Sequence, residues 1–174
     1  LVAGQKRLDQ FVVDLAGRLL ANRLLESLDG SNCLLAQIAI RLTGIMAIRG
    51  ALEARGDARR RILVPESAHG TNPATAVACG FTVEAIAADA RGRVDLAALK
   101  AALGNDVAAV MVTNPNTCGL FETDIREIAD AVHAVGAFFY CDGANFNSIV
   151  GRVRTGDLGI DCMHINLHKT FSTP

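Results

Sequence analysis

The sequence predicts an α/β fold, a mostly parallel sheet with helices flanking it. From residue 62 onward, short apolar runs alternate with stretches of helical spacing, which is how successive β-α units read in a single sequence. The runs are near-continuous rather than alternating, as expected of strands covered on both faces. Four of them end in clusters of unusual polar residues, and ligands of open parallel sheets gather beyond the carboxyl ends of the strands.

Taken in order, Leu8, Phe11, Val12, Leu15, Leu19, Leu24 and Leu28 recur at helical spacing and predict a helix over residues 8–28. Asp29-Gly30-Ser31-Asn32 reads as a turn or cap. A second helix is expected over 34–54, ended by Gly56-Asp57. Ile62-Leu63-Val64, bounded by Pro65, predicts the first strand. Thr71-Asn72-Pro73 then opens a helix with a polar cap and a proline in the first turn, where a missing N–H costs nothing. Residues 81–87 read as a strand, 96–103 as a helix capped by Asp95, and 107–112 as a third strand. An amphipathic helix over 124–135, stopped by Gly136, precedes a strand over 138–141, and residues 162–167 predict a fifth.

At 174 residues the chain is long enough to bury the core of one ordinary domain. A formal net charge of −1 and an aromatic content of 5% argue against nucleic acid and against an acidic membrane surface. Charge interrupts every apolar stretch before it could span a bilayer, and the first residues lack the apolar run of a signal peptide, so neither a membrane span nor a leader is expected. Cys33, Cys79, Cys118, Cys141 and Cys162 are scattered, odd in number and never spaced C-x-x-C. Neither a disulfide framework nor a metal site is expected, and a reducing compartment is the simplest reading.

The polar clusters carry the chemistry. Glu66-Ser67-Ala68-His69-Gly70-Thr71-Asn72 follows the first strand, and Thr113-Asn114-Pro115-Asn116-Thr117-Cys118-Gly119 the third. Asp142-Gly143-Ala144-Asn145 follows the fourth, and the last run leads into His168-Lys169-Thr170. Singly, each has an ordinary role: a cap for Asp, a turn for Asn-Pro, a solvated charge for Lys. Together they make a coherent site. Lys169 can condense with an aldehyde to give a Schiff base. Asp142 can hold a pyridinium nitrogen protonated, which turns the ring into an electron sink. The flat ring of His69 could stack on such a cofactor, and Asn114 or Thr117 could bond its phenolic oxygen.

Three strings then point to a family. Ser67-Ala68-His69-Gly70-Thr71-Asn72-Pro73-Ala74, Asp142-Gly143-Ala144-Asn145 and His164-Ile165-Asn166-Leu167-His168-Lys169-Thr170-Phe171 resemble the P-proteins of the glycine cleavage system, in their C-terminal half or separate second subunit. Order and spacing agree over residues 44–174. The resemblance implies a fold-type-I architecture, dependent on pyridoxal 5′-phosphate (PLP), whose large domain holds a mostly parallel seven-stranded sheet beside a smaller domain. By resemblance Lys169 is the cofactor lysine, His69 the stacking residue and Asp142 the partner of the pyridine nitrogen. Thr71, Ala144 and His168 match further motif positions expected near the cofactor, and His168 joins Lys169 and His69 as an expected catalytic residue. In a straight strand His168 and Lys169 would point to opposite faces, so a bend is expected there.

The implied activity is decarboxylation of glycine, with transfer of the aminomethyl group to the lipoyl group of H-protein. The implied assembly is a homodimer, or a heterotetramer with another P-protein subunit, in the cytoplasm of a bacterium or the mitochondrion of a eukaryote. Other fold-type-I enzymes, such as cysteine desulfurase-like proteins or amino-acid decarboxylases, share the Lys, Asp and His logic but not the string around Lys169. A non-catalytic fragment that pairs with another subunit is the further alternative.

The sequence departs from the family in three places. Where the family carries Ala-Gly-Ala-Gln-Gly-Glu, whose backbone amides receive the cofactor phosphate, this chain reads Ala36-Gln37-Ile38-Ala39-Ile40-Arg41. Isoleucine side chains there would keep a phosphate from the backbone, leaving Ser31-Asn32 as a weak substitute anchor. Cys118 stands where the family usually has His. The sequence stops at Thr173-Pro174, where the family continues, so residues 1–43 are expected to be a weakly matching helical segment and 44–174 a partial, truncated PLP-binding domain.

Overall fold

The computed structural model describes residues 33–172, with side chains from Arg41 onward; the helix expected over 8–28 and the Ser31-Asn32 anchor lie outside them. Helix α1, Cys33–Ala54, leads into strand β1, Arg61–Pro65. Helix α2, Thr71–Ala78, strand β2, Thr82–Ile86, helix α3, Leu96–Ala102, and strand β3, Val107–Thr113, follow. Helix α4, Ile125–Ala134, returns the chain to strand β4, Phe138–Gly143. Two 3₁₀ turns, Phe146–Ser148 and Thr155–Leu158, precede strand β5, Cys162–Ile165, and a single helical turn, α5, Leu167–Thr170.

The five strands form one sheet in the order β2-β1-β3-β4-β5, with every pairing parallel. The resemblance implies seven strands; five are present among the described residues. Alternate side chains of each strand enter opposite cores, as the pleat requires. Ile62, Val64, Met111, Phe138 and Tyr140 pack under α1 and α2 with Ile45, Ile48 and Leu52. Leu63, Val110, Val112 and Phe139 pack on the other face with Leu99, Ile125, Ile128 and Val132. Both faces are therefore filled, which is why Val107–Val112 of β3 and Phe138–Cys141 of β4 read as apolar runs and both strands are buried along their whole length.

Local signals explain most boundaries. The Asp95 carboxylate accepts from the Ala97 and Ala98 amides and starts α3. Ile125, Ile128, Ala129 and Val132 of α4 recur at i, i+3, i+4 and i+7 and are its buried stripe. Gly136 takes a φ of 71° just beyond that helix, a left-handed turn that glycine adopts without strain.

Two expectations are corrected. The cap of α2 falls on Gly70 with no side-chain bond, and Thr71 is already helical because its hydroxyl and amide both engage the His69 ring. The last strand ends at Ile165 instead of Leu167. Gly143 is the last β4 residue with a β5 partner, and the next amide, that of Ala144, turns back to the Asp142 carboxylate, so residues beyond Ile165 have no strand to pair with.

The chain runs from β1 outward to β2, then crosses back over β1 to β3. That reversal lies between β1 and β3, the place where open α/β sheets form their crevice.

Candidate active site

Register brings the polar clusters to one edge. Thr113 at the end of β3 is the partner of Asp142 on β4, and Asp142 is the partner of His164 on β5. Asn114, Asp142 and the β5-α5 segment therefore end at the same level. The β1 loop joins them through Thr117, whose hydroxyl donates to the Ser67 carbonyl at 2.5 Å. Asn145 ties the β4 loop to the β3 loop by donating to the Pro115 and Asn116 carbonyls at 3.0 and 3.3 Å.

Asp142 is the centre of this edge and is fully buried. Its Oδ1 accepts from the Ala144 amide at 2.9 Å, and His164 Nε2 lies 2.9 Å from the same oxygen, a close electrostatic contact with the N–H aimed off the line. His164 Nδ1 is 2.7 Å from the Tyr140 hydroxyl. Burial holds the Tyr140 pKa well above its ordinary value, so the phenol keeps its proton within this hydrogen bond. Burial alone would raise the Asp142 pKa too. The close approach of His164 Nε2, the Ala144 amide and the Arg41 guanidinium outweigh it and hold the carboxylate at about 2.

The remaining expected residues differ in setting. His69 is exposed, its Nδ1 2.9 Å from the Thr71 hydroxyl. Lys169 is exposed and His168 half-buried, both on the α5 turn, where the Lys169 and Thr170 amides bond the Asn166 carbonyl. A helical turn separates consecutive side chains by about 100°, so the two residues diverge without lying on opposite faces of a strand. Ala144 is buried and contributes its amide to Asp142. Thr117 is exposed, with its hydroxyl committed to Ser67. Asn114 is buried; its Oδ1 accepts from the Glu122 amide, and its Nδ2 has no hydrogen-bond partner. Of the two residues proposed for a phenolic oxygen, only Asn114 keeps a free donor.

That unpaired nitrogen is one of a set. Asn72 Oδ1, Asn114 Nδ2, Asp142 Oδ2, Asn166 Oδ1 and Thr170 Oγ1 are all buried without a hydrogen-bond partner. They sit after β1, β3, β4 and β5, at the carboxyl ends of four different strands. Each such atom carries a desolvation penalty of about 1–3 kcal/mol, and native proteins leave few of them. Their concentration at one edge fits a polar ligand that supplies both donors and acceptors, and a heteroaromatic phosphate ester with a ring N–H and a phenolic oxygen does so. Asn72, Asn166, Thr170, His164 and Tyr140 escaped the residue-by-residue reading, because only strand register reveals which of them face the site.

Among the described residues the opposite edge offers no equivalent. The open depression lined by Asp57, Arg60, Thr82 and Asn105 has its strongest cations committed, Arg59 to Asp57 and Arg61 to Glu84 and Asp106. Among the described residues no group of three His, Cys, Asp or Glu could hold a metal, and no helix is long and apolar enough to cross a membrane.

Residues 43–174 match the Aminotransferase class-V family. The chain belongs to that family. A relative from Caulobacter vibrioides, "Probable glycine dehydrogenase (decarboxylating) subunit 2", is 68% identical over 134 residues, which are 76% of this chain and 26% of that protein. This chain thus spans about a quarter of the length of the curated relatives it matches. The crystal structure of a glycine decarboxylase (P-protein) of the glycine cleavage system, in inhibitor-bound form, superposes with a TM-score of 0.52 at 26% identity, covering 91% of this chain and 32% of that one. The sphingosine-1-phosphate lyase of Burkholderia pseudomallei shares the fold, with a TM-score of 0.64 at 19% identity, covering 79% of this chain and 34% of that one. The fold-type-I architecture expected from the sequence is therefore correct.

Proposed function

We propose that this chain carries the PLP-binding part of a glycine dehydrogenase of the decarboxylating kind, which passes the aminomethyl group of glycine to the lipoyl group of H-protein. The observation that carries this reading is the set of five buried polar atoms without hydrogen bonds at four strand ends. The 68% identity to a probable glycine dehydrogenase subunit supports glycine over other amino acids.

The residues divide the work as follows. Asp142, held anionic by its neighbours, would offer Oδ2 to the ring nitrogen. Asn114 Nδ2 donates to the phenolic oxygen. His69, oriented by Thr71, presents the face of its ring for stacking. Lys169 extends its amine from the α5 turn to hold the aldehyde, with His168 beside it for proton transfer. Once bound, PLP supplies the sink for charge that develops at an amino acid's α-carbon. A second copy or another P-protein subunit completes the assembly, in the cytoplasm of a bacterium or the mitochondrion of a eukaryote.

Borohydride reduction in the presence of PLP, followed by peptide mass spectrometry, tests the site: a phosphopyridoxyl group on Lys169, absent from Lys169→Ala, is expected. Exchange of labelled bicarbonate into glycine with lipoylated H-protein tests the reaction. Turnover of cysteine or another amino acid in preference to glycine would point to a different fold-type-I enzyme, and no adduct at all to a non-catalytic piece.

A further inference from the structure

Arg41, which helps keep Asp142 ionised, also faces the oxygen of Asp142 that the cofactor would use. It stands on the sheet-facing stripe of α1 with Ile45, Ile48 and Leu52, at spacings of four, three and four residues. The helix comes very close to β4: a Cβ at Gly44 would lie 2.6 Å from Tyr140 Cε2. Three residues back along a helix is about 4.5 Å and two residues on along a strand is about 6.6 Å, so the contact of Gly44 with Tyr140 leads to one of Arg41 with Asp142. Arg41 Nη2 lies 3.7 Å from Asp142 Oδ2, with both side chains buried. Oδ1 is taken by Ala144 and His164, and Oδ2 is the oxygen with no hydrogen bond.

We propose that Arg41 is a resident rival of the cofactor's ring nitrogen, sharing Asp142 Oδ2 and setting how tightly this chain holds PLP. This rests on the proposed cofactor site. A guanidinium keeps its charge at any physiological pH. A pyridine nitrogen brought to Oδ2 therefore meets a carboxylate already neutralised in part, beside a like charge that opposes its protonation. The ring nitrogen then contributes little to binding, and the hold on the cofactor rests on its other groups.

Calorimetric titration of the whole chain with PLP, and with the analogue in which C–H replaces the ring nitrogen, tests this. In the wild type the two ligands are expected to bind within about threefold of each other. In Arg41→Met, PLP is expected to bind at least tenfold tighter than in the wild type, while the analogue is unchanged and Arg41→Lys behaves as the wild type. A wild type that prefers PLP over the analogue by tenfold or more would overturn the proposal even if Arg41→Met fails to fold. An Arg41→Met protein with no gain for PLP would overturn it too, with the cofactor site left standing. Failure of either ligand to bind any of the proteins would remove the cofactor site and this inference with it.

Discussion

His164 and Asp142 are partners across the β4–β5 ladder, and the imidazole Nε2 reaches within 2.9 Å of the carboxylate Oδ1. A buried interaction with an ionised group contributes about 2–3 kcal/mol. His164→Ala is expected to lose that much in chemical denaturation at neutral pH, and His164→Gln, which keeps a donor, to recover part of it. Equal stability of the alanine variant and the wild type would show that the contact is idle.

Tyr140→Phe removes only the hydroxyl that is hydrogen-bonded to His164 Nδ1. A buried ring nitrogen is left unsatisfied with no change of shape, so a loss of about 1–3 kcal/mol is expected. The check is a lower urea midpoint at an unchanged denaturant slope.

Asp142 makes the fold acid-sensitive. Its folded-state pKa of about 2 lies below the ordinary 3.8. The folded state thus binds fewer protons than the unfolded chain between these values, and the contribution is complete above pH 3.8 and lost as pH falls through 2. It amounts to about 2 kcal/mol at neutral pH. Stability measured from pH 5 down to 2 should fall less steeply in Asp142→Asn than in the wild type; parallel curves would contradict the assignment.

Gly143 has no room for a side chain. A Cβ there would collide with the His164 carbonyl, which is backbone of the paired strand, and would come within 2.6 Å of the Met163 methyl. Gly143→Ala is expected to cost more than about 3 kcal/mol by prying β5 from β4. Thermal unfolding checks this, and an unchanged midpoint would mean that the two strands separate easily there.

The sheet was legible because its inner strands, Val107–Thr113 and Phe138–Gly143, are apolar on both sides and long enough to stand out. Asp95 and Gly136 marked helix ends by chemistry that acts within a few residues. Asp142 and Lys169 were legible as strand-end polar residues within strings of high specificity. The partners of Asp142 were not, since His164 lies 22 residues away and meets it only through the register of β5, which the pattern Cys162–Ile165 does not specify. Thr117 looked equivalent to Asn114 until its hydroxyl proved committed to Ser67. Arg41 stood out only as the end of the segment that departs from the family's phosphate-receiving string, and its burial goes with the close approach of α1 to Tyr140 at Gly44.

The two outer strands of the sheet face the world differently. β2 carries Glu84 clasped by Arg61 and is mostly exposed, so a stray chain laid against it meets charge. β5 shows Cys162, Met163 and Ile165 half-covered and carries no Asp, Glu, Lys or Arg, with His164 buried. Uncharged borders of this kind recruit other strands. When the chain is made by itself, clumping should begin on the side that holds the lysine, and a single lysine or glutamate in place of Met163 should suppress it.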